Sequence, residues 1–248
     1  MRADQLLVAQ GLAPTRSVAQ RLISNGAAEW ASPTGWAVLK KAGEDLPETA
    51  QLRVTDDAEL RYASRGGLKL EGALAHTHAD VKGLTVLDVG QSTGGFTDCL
   101  LTHGANHVVG IDVGHEQLHP RLLADPRVTA LEGTHVRELD VLRAHQPTGG
   151  FPFIVGDLSF ISMVGSLPEL MPWLEVHGQL LVLIKPQFEL GPQALGKGGL
   201  VKDPADYAKL EGRVRLACTA LGLRVLDYFD SPITGGDGNR EFFLWATR

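Results

Sequence analysis

The spacing of apolar positions changes along the chain near residue 60. Before that point, Ala3–Gln10 and a second stretch after Thr15 repeat every three to four residues, as helices with one buried face do. Thr15 is a suitable N-cap for the second helix. Ala27–Lys41 then alternates loosely around a Pro33-Thr34-Gly35 turn, which predicts a hairpin. The first segment is therefore expected to be a small α+β domain.

The rest of the chain alternates short β-rich runs with helical segments, the clearest helix being Ala205 to Leu221. The runs are Thr85–Val89, Val108–Asp112, Val128–Leu131, Phe153–Asp157, Gln179–Ile184, Leu223–Phe229 and Glu241–Ala246. Such alternation predicts an α/β fold, with a mainly parallel, Rossmann-like seven-stranded sheet covered by helices on both faces. No helix separates the last two runs, so they are expected to form an antiparallel pair at one edge.

A polar stretch from Val54 to Glu59 separates the two patterns. We therefore expect a small domain at residues 1–56, a linker at 57–62 and a larger domain at 63–248. A length of 248 residues allows two domains.

Composition narrows the class of protein. The chain is 44% hydrophobic and 21% charged, as soluble globular proteins are. Its two cysteines, Cys99 and Cys218, form no zinc-ligand pattern, so we expect no metal and a reducing, cytoplasmic environment. The longest aliphatic run, Leu180 to Ile184, is far too short to span a bilayer, and the first residues lack the apolar stretch typical of a signal peptide, so none is expected. A membrane partner is not expected, and the oligomeric state stays open.

Charge does not by itself indicate a nucleic acid partner. The net charge is −6, and residues 1–56 hold six basic and six acidic side chains. Any binding of RNA must therefore depend on local patches rather than on bulk charge.

Val86–Phe96 is the most informative local segment. A predicted strand ends at Asp88, a glycine-containing turn follows, and a helix begins near Phe96. Its N-terminus offers free N–H groups to a ligand, and Asp112 ends the next strand, where a carboxylate can bind ribose hydroxyls. Ser92 occupies the second glycine of a dinucleotide motif, which disfavours a pyrophosphate ligand. D-x-G-x-x-x-G-G-F instead resembles the S-adenosylmethionine loop of methyltransferases, although a purely structural strand–turn–helix is the alternative.

Five motifs together carry a family resemblance. They are SRGGLKL at 64–70, DVGQSTGGF at 88–96, DLSFIS at 157–162, KPQFE at 185–189 and GNREF at 238–242. In this order they resemble the TlyA (hemolysin-A-like) family of ribosomal RNA methyltransferases, whose catalytic half is of the FtsJ type. The first ~56 residues resemble the S4-type RNA-binding module of that family. The resemblance implies S-adenosylmethionine as cofactor, ribosomal RNA or ribosomal subunits as partner, and 2′-O-methylation of the ribose of a cytidine.

The resemblance also implies a catalytic tetrad of Lys69, Asp157, Lys185 and Glu241. A ribose hydroxyl must lose its proton as it attacks the methyl group, and a lysine can accept that proton only as an uncharged amine, which burial and a neighbouring cation favour. Lys185 follows an apolar strand and is the expected base; Asp157 would orient it, and Glu241 would fix Lys69 or the ribose. Each residue could alternatively be an ordinary surface charge or strand-end residue.

The remaining site predictions come from these motifs, from other strand ends and loops, and from the first segment, where Arg16 and Gln20 share a helix face that could equally be an ordinary solvated one. The expected cofactor-binding residues are Asp88, Gly90, Ser92, Thr93, Gly94, Gly95, Phe96, Asp112, Val113, His135 and Asp157. The expected RNA-binding residues are Arg2, Arg16, Gln20, Arg21, Arg65 and Lys197. His135 stands where the family commonly has asparagine, and Lys197 lies in a glycine-rich loop, 191–202, that could close over RNA.

Three other functions compete with this interpretation. A ribosome-assembly factor without activity would bind cofactor but not transfer a methyl group. A membrane-lytic protein would need a membrane-active segment, which the sequence lacks. A methyltransferase acting on amino groups would be expected to carry an Asn/Asp-Pro-Pro-aromatic motif, which is absent, and an N-terminal RNA-binding module makes little sense for a metabolite enzyme.

Overall fold

The computed structural model describes residues 1–55, 60–235 and 238–248. The chain forms two compact units, Met1–Arg65 and Gly66–Arg248. Residues 57–59 of the linker expected at 57–62 lie outside the described residues. The division after Arg65 falls three residues into the domain expected to begin at residue 63.

The first unit is a small α+β domain with its own apolar core. It contains helices α1 (Ala3–Ala9) and α2 (Arg16–Ser24) and a three-stranded sheet of β1 (Ala28–Ser32), β2 (Gly35–Val38) and β3 (Leu52–Val54), in the order β2-β1-β3. The Thr15 hydroxyl accepts a hydrogen bond from the Val18 N–H at 3.3 Å, which confirms the predicted cap. The predicted helices and hairpin are present, whereas the three residues of β3 were too short to be recognised in the sequence.

The second unit contains one seven-stranded sheet and six helices among its described residues. The strands are β4 (Thr85–Val89), β5 (His107–Asp112), β6 (Val128–Glu132), β7 (Phe151–Gly156), β8 (Leu174–Ile184), β9 (Arg224–Asp230) and β10 (Phe242–Thr247). The helices are α3 (Gly66–Thr77), α4 (Gly95–Thr102), α5 (Pro120–Leu123), α6 (Met163–Leu170), α7 (Pro186–Glu189) and α8 (Ala205–Ala220).

Strand order confirms the predicted fold class. The order is β6-β5-β4-β7-β8-β10-β9; the first five strands are parallel, and β10 runs antiparallel to both β8 and β9. All seven predicted runs form strands. β8 begins earlier than expected, at Leu174, and its pairing with β7 shifts register between Phe151 and Phe153.

The position of β4 determines where a ligand can bind. Its two neighbours in the sheet, β5 on one side and β7 on the other, both come later in the chain. The chain therefore continues from β4 first towards one edge strand, β6, and then returns to the other side of β4. Such a switch point opens a crevice at the carboxyl ends of the strands. Because β10 is antiparallel to β8, the residues just before β10 lie at this same edge.

No helix in the described part of the chain is long and apolar enough to cross a membrane.

Candidate active site

A cavity of about 520 Å³ lies at the carboxyl ends of β4, β5 and β7. Six of the predicted cofactor-binding residues line it, namely Gly90, Ser92, Asp112, Val113, His135 and Asp157. Ile111, Leu158 and Ile161 add apolar surface to the wall. The size and the mixed lining suit a ligand as large as a nucleoside derivative.

Asp112 joins two loops of the cavity wall. Its carboxylate accepts hydrogen bonds from the N–H of Ser92 at 2.8 Å and from the N–H of Gly114 at 2.7 Å. The Ser92 hydroxyl donates to Gln117 at 3.2 Å, which links the same two loops again. Each carboxylate oxygen has a second lone pair, so Asp112 can also accept from ribose hydroxyls.

The other five predicted cofactor residues, Asp88, Thr93, Gly94, Gly95 and Phe96, do not line this cavity. Phe96 is buried and stacks on Phe243, with ring centroids 6.2 Å apart. Gly94 has a φ of 92°, and a Cβ there would lie 2.3 Å from the Leu122 side chain. A glycine at this position therefore lets the loop pack against the protein, whereas its sequence context had suggested an approach to the ligand.

Asp88 lies behind the cavity wall in a fully buried polar chain. The Thr97 hydroxyl donates to the Asp88 carboxylate at 2.7 Å, and the Gln91 amide donates to the Thr97 oxygen at 2.9 Å. Burial raises the pKa of Asp88 to about 7; the Thr97 hydrogen bond opposes this rise, and the charges of Asp157 and Asp112 add to it. Gln91 and Thr97 were not identified from the sequence.

The four residues of the expected tetrad form two ion pairs. Lys69 Nζ lies 2.6 Å from Glu241 Oε2, and these side chains are only 9% and 3% exposed. Lys185 Nζ lies 2.5 Å from Asp157 Oδ1, with exposures of 10% and 20%. Charges this well buried are seldom found without a partner, and here each has one.

Strand register brings the two ion pairs to one edge of the sheet. Phe242 of β10 pairs with Ile184 of β8, so continuing the register by one residue puts Glu241 opposite Lys185. The Asp157 N–H donates to the carbonyl of Val89, the last residue of β4, at 2.9 Å.

Local packing holds α3 and Glu241 in place. The N–H of Ser231 donates to the Glu241 carbonyl at 2.8 Å. Pro232 packs closely on α3, because a Cβ at Gly72 would lie 2.6 Å from its ring. Residues 231–235 therefore lie between β9 and the segment that carries Glu241, and residues 236–237 lie outside the described part of the chain.

Two residues of the DLSFIS segment were missed as site residues. The Lys185 ammonium donates to the Ser159 hydroxyl at 2.8 Å. Phe160 is 88% exposed at the rim of the cavity, has a φ of 68°, and lies 5.4 Å from the ring of Phe188. An exposed aromatic residue with left-handed backbone is uncommon, and such residues cluster at functional sites.

Three of the predicted RNA-binding side chains surround one buried carboxylate. Asp4 accepts from Arg2 at 3.0 Å, from Arg16 at 3.3 Å and from Gln20 at 2.9 Å. The Arg2 guanidinium holds the pKa of Asp4 well below its usual range, despite burial, and Gln20 and Arg16 lower it further. The two arginines remain about half exposed, so Asp4 fixes their orientation and leaves them accessible.

The other three predicted RNA-binding residues are dispersed. Arg21 is half-buried on α2, and Arg65 is half-buried directly before α3. Lys197 is exposed in a short turn, Lys197–Gly199, within the 191–202 loop. That loop has internal structure, since Leu195 pairs with Val201. Over the described ranges, no group of three or more His, Cys, Asp or Glu residues is placed to hold a metal ion.

Comparison with known families agrees with this geometry. Residues 62–248 match the FtsJ-like methyltransferases, and residues 1–27 match the S4 domain. The chain belongs to the FtsJ-like methyltransferase family. The family resemblance seen in the motifs is thereby confirmed, as is the prediction of an enzyme.

Relatives of this family member are similar over nearly its whole length. It is 42% identical, over 98% of its length and 84% of the relative's, to a candidate rRNA methyltransferase, YqxC, of Bacillus subtilis. It is 40% identical to the 16S/23S rRNA (cytidine-2′-O)-methyltransferase TlyA of Mycobacterium tuberculosis, covering 98% of this chain and 88% of that one. The solved structure of a candidate hemolysin from Streptococcus thermophilus is 36% identical, with a TM-score of 0.76 over 100% of this chain and 88% of the other.

Family membership also identifies the cofactor. FtsJ-like methyltransferases use S-adenosylmethionine, in agreement with the cofactor predicted from the sequence. The cavity fits this molecule, because it combines apolar walls with the Asp112 carboxylate at the end of β5.

Proposed function

We propose that this methyltransferase modifies the ribose 2′-hydroxyl of a cytidine in ribosomal RNA, and therefore acts in the cytoplasm, where ribosomes are. The observation that carries the proposal is the pair of buried ion pairs, Lys69–Glu241 and Lys185–Asp157, at the sheet edge that also holds the cofactor cavity. The name of the Mycobacterium tuberculosis relative and the match to an S4 domain support a ribosomal RNA substrate and a cytidine.

Different residues of the cavity would bind different parts of the cofactor. Asp112 would accept from the ribose hydroxyls of S-adenosylmethionine, while His135 and Val113 would contact its adenine. When bound, the cofactor supplies a methyl group that is activated by its attachment to a positively charged sulfur.

Lys185 is the base of the proposed reaction. Its partners Asp157 and Ser159 line the cavity, whereas neither Lys69 nor Glu241 does. The uncharged amine of Lys185 would accept the proton of the ribose hydroxyl, and Asp157 would then stabilise the ammonium that forms. Ser159 fixes the direction of the amine, and Lys69, held by Glu241, supplies a positive charge at a constant position.

Phe160 would bind the base of the acceptor nucleotide. Proteins that recognise unstacked RNA bases stack them on aromatic rings. Phe160 offers such a ring, since it is exposed at the rim of the cavity and backed by Phe188.

The test is methyl transfer to ribosomes from a strain that lacks the enzyme. The Lys185→Ala variant is compared with the wild type and with Lys82→Ala, which removes an exposed lysine just before β4, at the opposite edge of the sheet. With radiolabelled S-adenosylmethionine, we expect the wild type and Lys82→Ala to put label into an alkali-resistant dinucleotide. General acid–base catalysis contributes roughly 100- to 10,000-fold, so Lys185→Ala should lose at least that much of kcat and still bind cofactor.

Other outcomes separate the alternatives. Label on a nucleobase would keep the enzyme and overturn the ribose chemistry, and label in an alkali-resistant dinucleotide lacking cytidine would overturn the acceptor. Cofactor binding without transfer to subunits, whole ribosomes or free RNA would favour a non-catalytic assembly factor.

A further inference from the structure

Two segments at the carboxyl edge of the sheet are joined by the catalytic ion pair. The first, residues 157–162, connects β7 to α6, and the second, residues 185–189, follows β8. Lys185 of the second segment contacts Asp157 at 2.5 Å and Ser159 at 2.8 Å, both near the start of the first.

Glu189, at the end of the second segment, joins it to the end of the first segment. Its buried carboxylate accepts from the Ser162 hydroxyl at 2.6 Å, from the Met163 N–H at 2.7 Å and from the Val164 N–H at 3.2 Å. Ser162 is the N-cap of α6, and the two N–H donors belong to its first turn, where N–H groups have no partners within the helix. The negative charge at that helix N-terminus is also electrostatically favourable.

Glu189 is itself anchored to the body of the domain. Arg213 of α8 donates to the Glu189 carbonyl at 3.2 Å. Ser162, besides donating to Glu189, accepts from the Gly165 N–H at 2.8 Å and so caps α6. The carboxylate therefore connects α6 to a turn that is held independently on α8.

The segment between these contacts carries the residues that face the cavity. Lys185 holds its beginning and Glu189 holds its end, and Phe160 lies between them with a φ of 68°. A non-glycine residue keeps such a backbone only when its surroundings impose it. Contacts at both ends of a six-residue segment supply that constraint.

We propose that Glu189 is a positioning residue for methyl transfer. It keeps residues 157–162 in the arrangement that aligns Asp157 and Ser159 with Lys185 and that presents Phe160 at the rim. This inference deepens the proposed function and rests on it, because the role of Lys185 is part of that proposal. A carboxylate that served only to cap α6 would contribute to stability and leave the rate of the chemical step unchanged.

The experiment compares three variants of the full chain with the wild type. Glu189→Ala removes all three hydrogen bonds. Glu189→Gln keeps an oxygen for the Met163 and Val164 N–H groups and an amide that can donate to Ser162. Glu211→Ala removes a partly exposed glutamate that pairs with Arg215 at 2.8 Å on α8, and serves as the matched control.

For each variant, kcat and KM for ribosomes, the Kd of S-adenosylmethionine, and amide hydrogen exchange over residues 157–164 are measured at a temperature where all are folded. A misplacement of about 1 Å can cost about 100-fold in rate. We therefore expect Glu189→Ala to lower kcat by roughly 10- to 100-fold, with faster exchange in this segment and a cofactor Kd close to that of the wild type. Glu189→Gln should recover most of kcat, and Glu211→Ala should match the wild type.

The outcomes distinguish failure of this inference from failure of the proposed function. Faster exchange with an unchanged kcat would mean that Glu189 only caps α6, and unchanged exchange would mean that it does not hold the segment; either result overturns the inference. A loss of kcat that Glu189→Gln does not restore would also overturn it. A wild type that never labels ribose would refute the proposed function, and with it the catalytic part of the inference, whatever the exchange shows.

Discussion

At the residue scale, the exposed ring of Phe160 has a cost that the fold alone does not explain. A large apolar side chain at 88% exposure gives up the free energy of burial, and its left-handed backbone adds strain. Leu216 on α8 is also largely exposed, at 72%, but lies on a regular helix. Unlike Leu216, Phe160 combines the exposure of a large apolar ring with strain and a position on the cavity rim, which is the combination expected of a ligand contact.

We expect Phe160→Ala to weaken use of the RNA substrate. Stacking of a base on an aromatic ring contributes about 1–3 kcal/mol, so kcat/KM for ribosomes should fall roughly five- to 150-fold. The melting temperature should not fall, because the ring is exposed. Steady-state methylation assays with Leu216→Ala as the control measure this; equal losses in both variants, or none in Phe160→Ala, would contradict the role in stacking.

At the scale of elements, the Asp88–Thr97–Gln91 chain ties the end of β4 to the cofactor loop and to α4. Its members are buried, and the loop contains several glycines that give it little stiffness of its own. The Asp88 carboxylate thus acts on the cavity indirectly, by holding the loop that forms part of its wall and the helix that follows this loop. Such a buried carboxylate makes stability depend on pH.

We expect Asp88→Asn to remove a pH-dependent loss of stability. The pKa of Asp88 rises from 3.8 to about 7 on folding. Its contribution to the free energy of unfolding is therefore fully favourable below pH ~4, is lost as the pH rises through 7, and does not change further above that. The contribution of Asp88 to the free energy of unfolding differs between low and high pH by an amount on the order of 4 kcal/mol. Urea unfolding at pH 5 and at pH 8 should show that the free energy of unfolding falls less for Asp88→Asn than for the wild type.

The matched control is Asp80→Asn, which changes an exposed carboxylate that accepts only from a nearby N–H in the described structure. It should keep the pH dependence of the wild type. If the free energy of unfolding falls as steeply with pH for Asp88→Asn as for Asp80→Asn, then Asp88 is already ionised in the folded protein at pH 5. In that case other interactions offset the effect of burial on its pKa.

At the scale of the whole molecule, each unit has a separate apolar core. Leu7, Leu22 and Leu39 belong to the core of the first unit, and β4, β7 and β8 supply much of the core of the second. All residues that line the cofactor cavity lie in the second unit. We therefore propose that residues 63–248 form an independent catalytic domain and that residues 1–56 bind RNA.

A fragment of residues 63–248 should bind S-adenosylmethionine with the Kd of the full chain and methylate ribosomes poorly. Two linked binding modules gain roughly 100-fold or more over one, so kcat/KM should fall by about that factor while kcat at saturating ribosomes changes little. Calorimetry for the cofactor and methylation kinetics measure the two effects. A fragment that does not fold would refute the proposed boundary, and an unchanged kcat/KM would refute the RNA-binding role of the first unit.

Local sequence patterns are sufficient to predict most of the elements and the class of fold. Residues 180–184 of β8 are buried on both faces of the sheet and therefore read as a continuous apolar run. The cap at Thr15 and the glycine turn after Asp88 are local signals that involve only a few adjacent residues. The catalytic role of the four tetrad residues could be predicted only because their motifs resemble a known family.

Which side chains come into contact depends on how the whole chain packs. Lys69 and Glu241 are 172 positions apart, and Glu189 reaches Ser162 across 27. Such pairings depend on strand order and register, which the whole core sets and no local period encodes. The burial of Asp88, the gathering of arginines around Asp4 and the exposure of Phe160 follow for the same reason, because hydrophobic periodicity shows which face of an element is buried but not what lies against it.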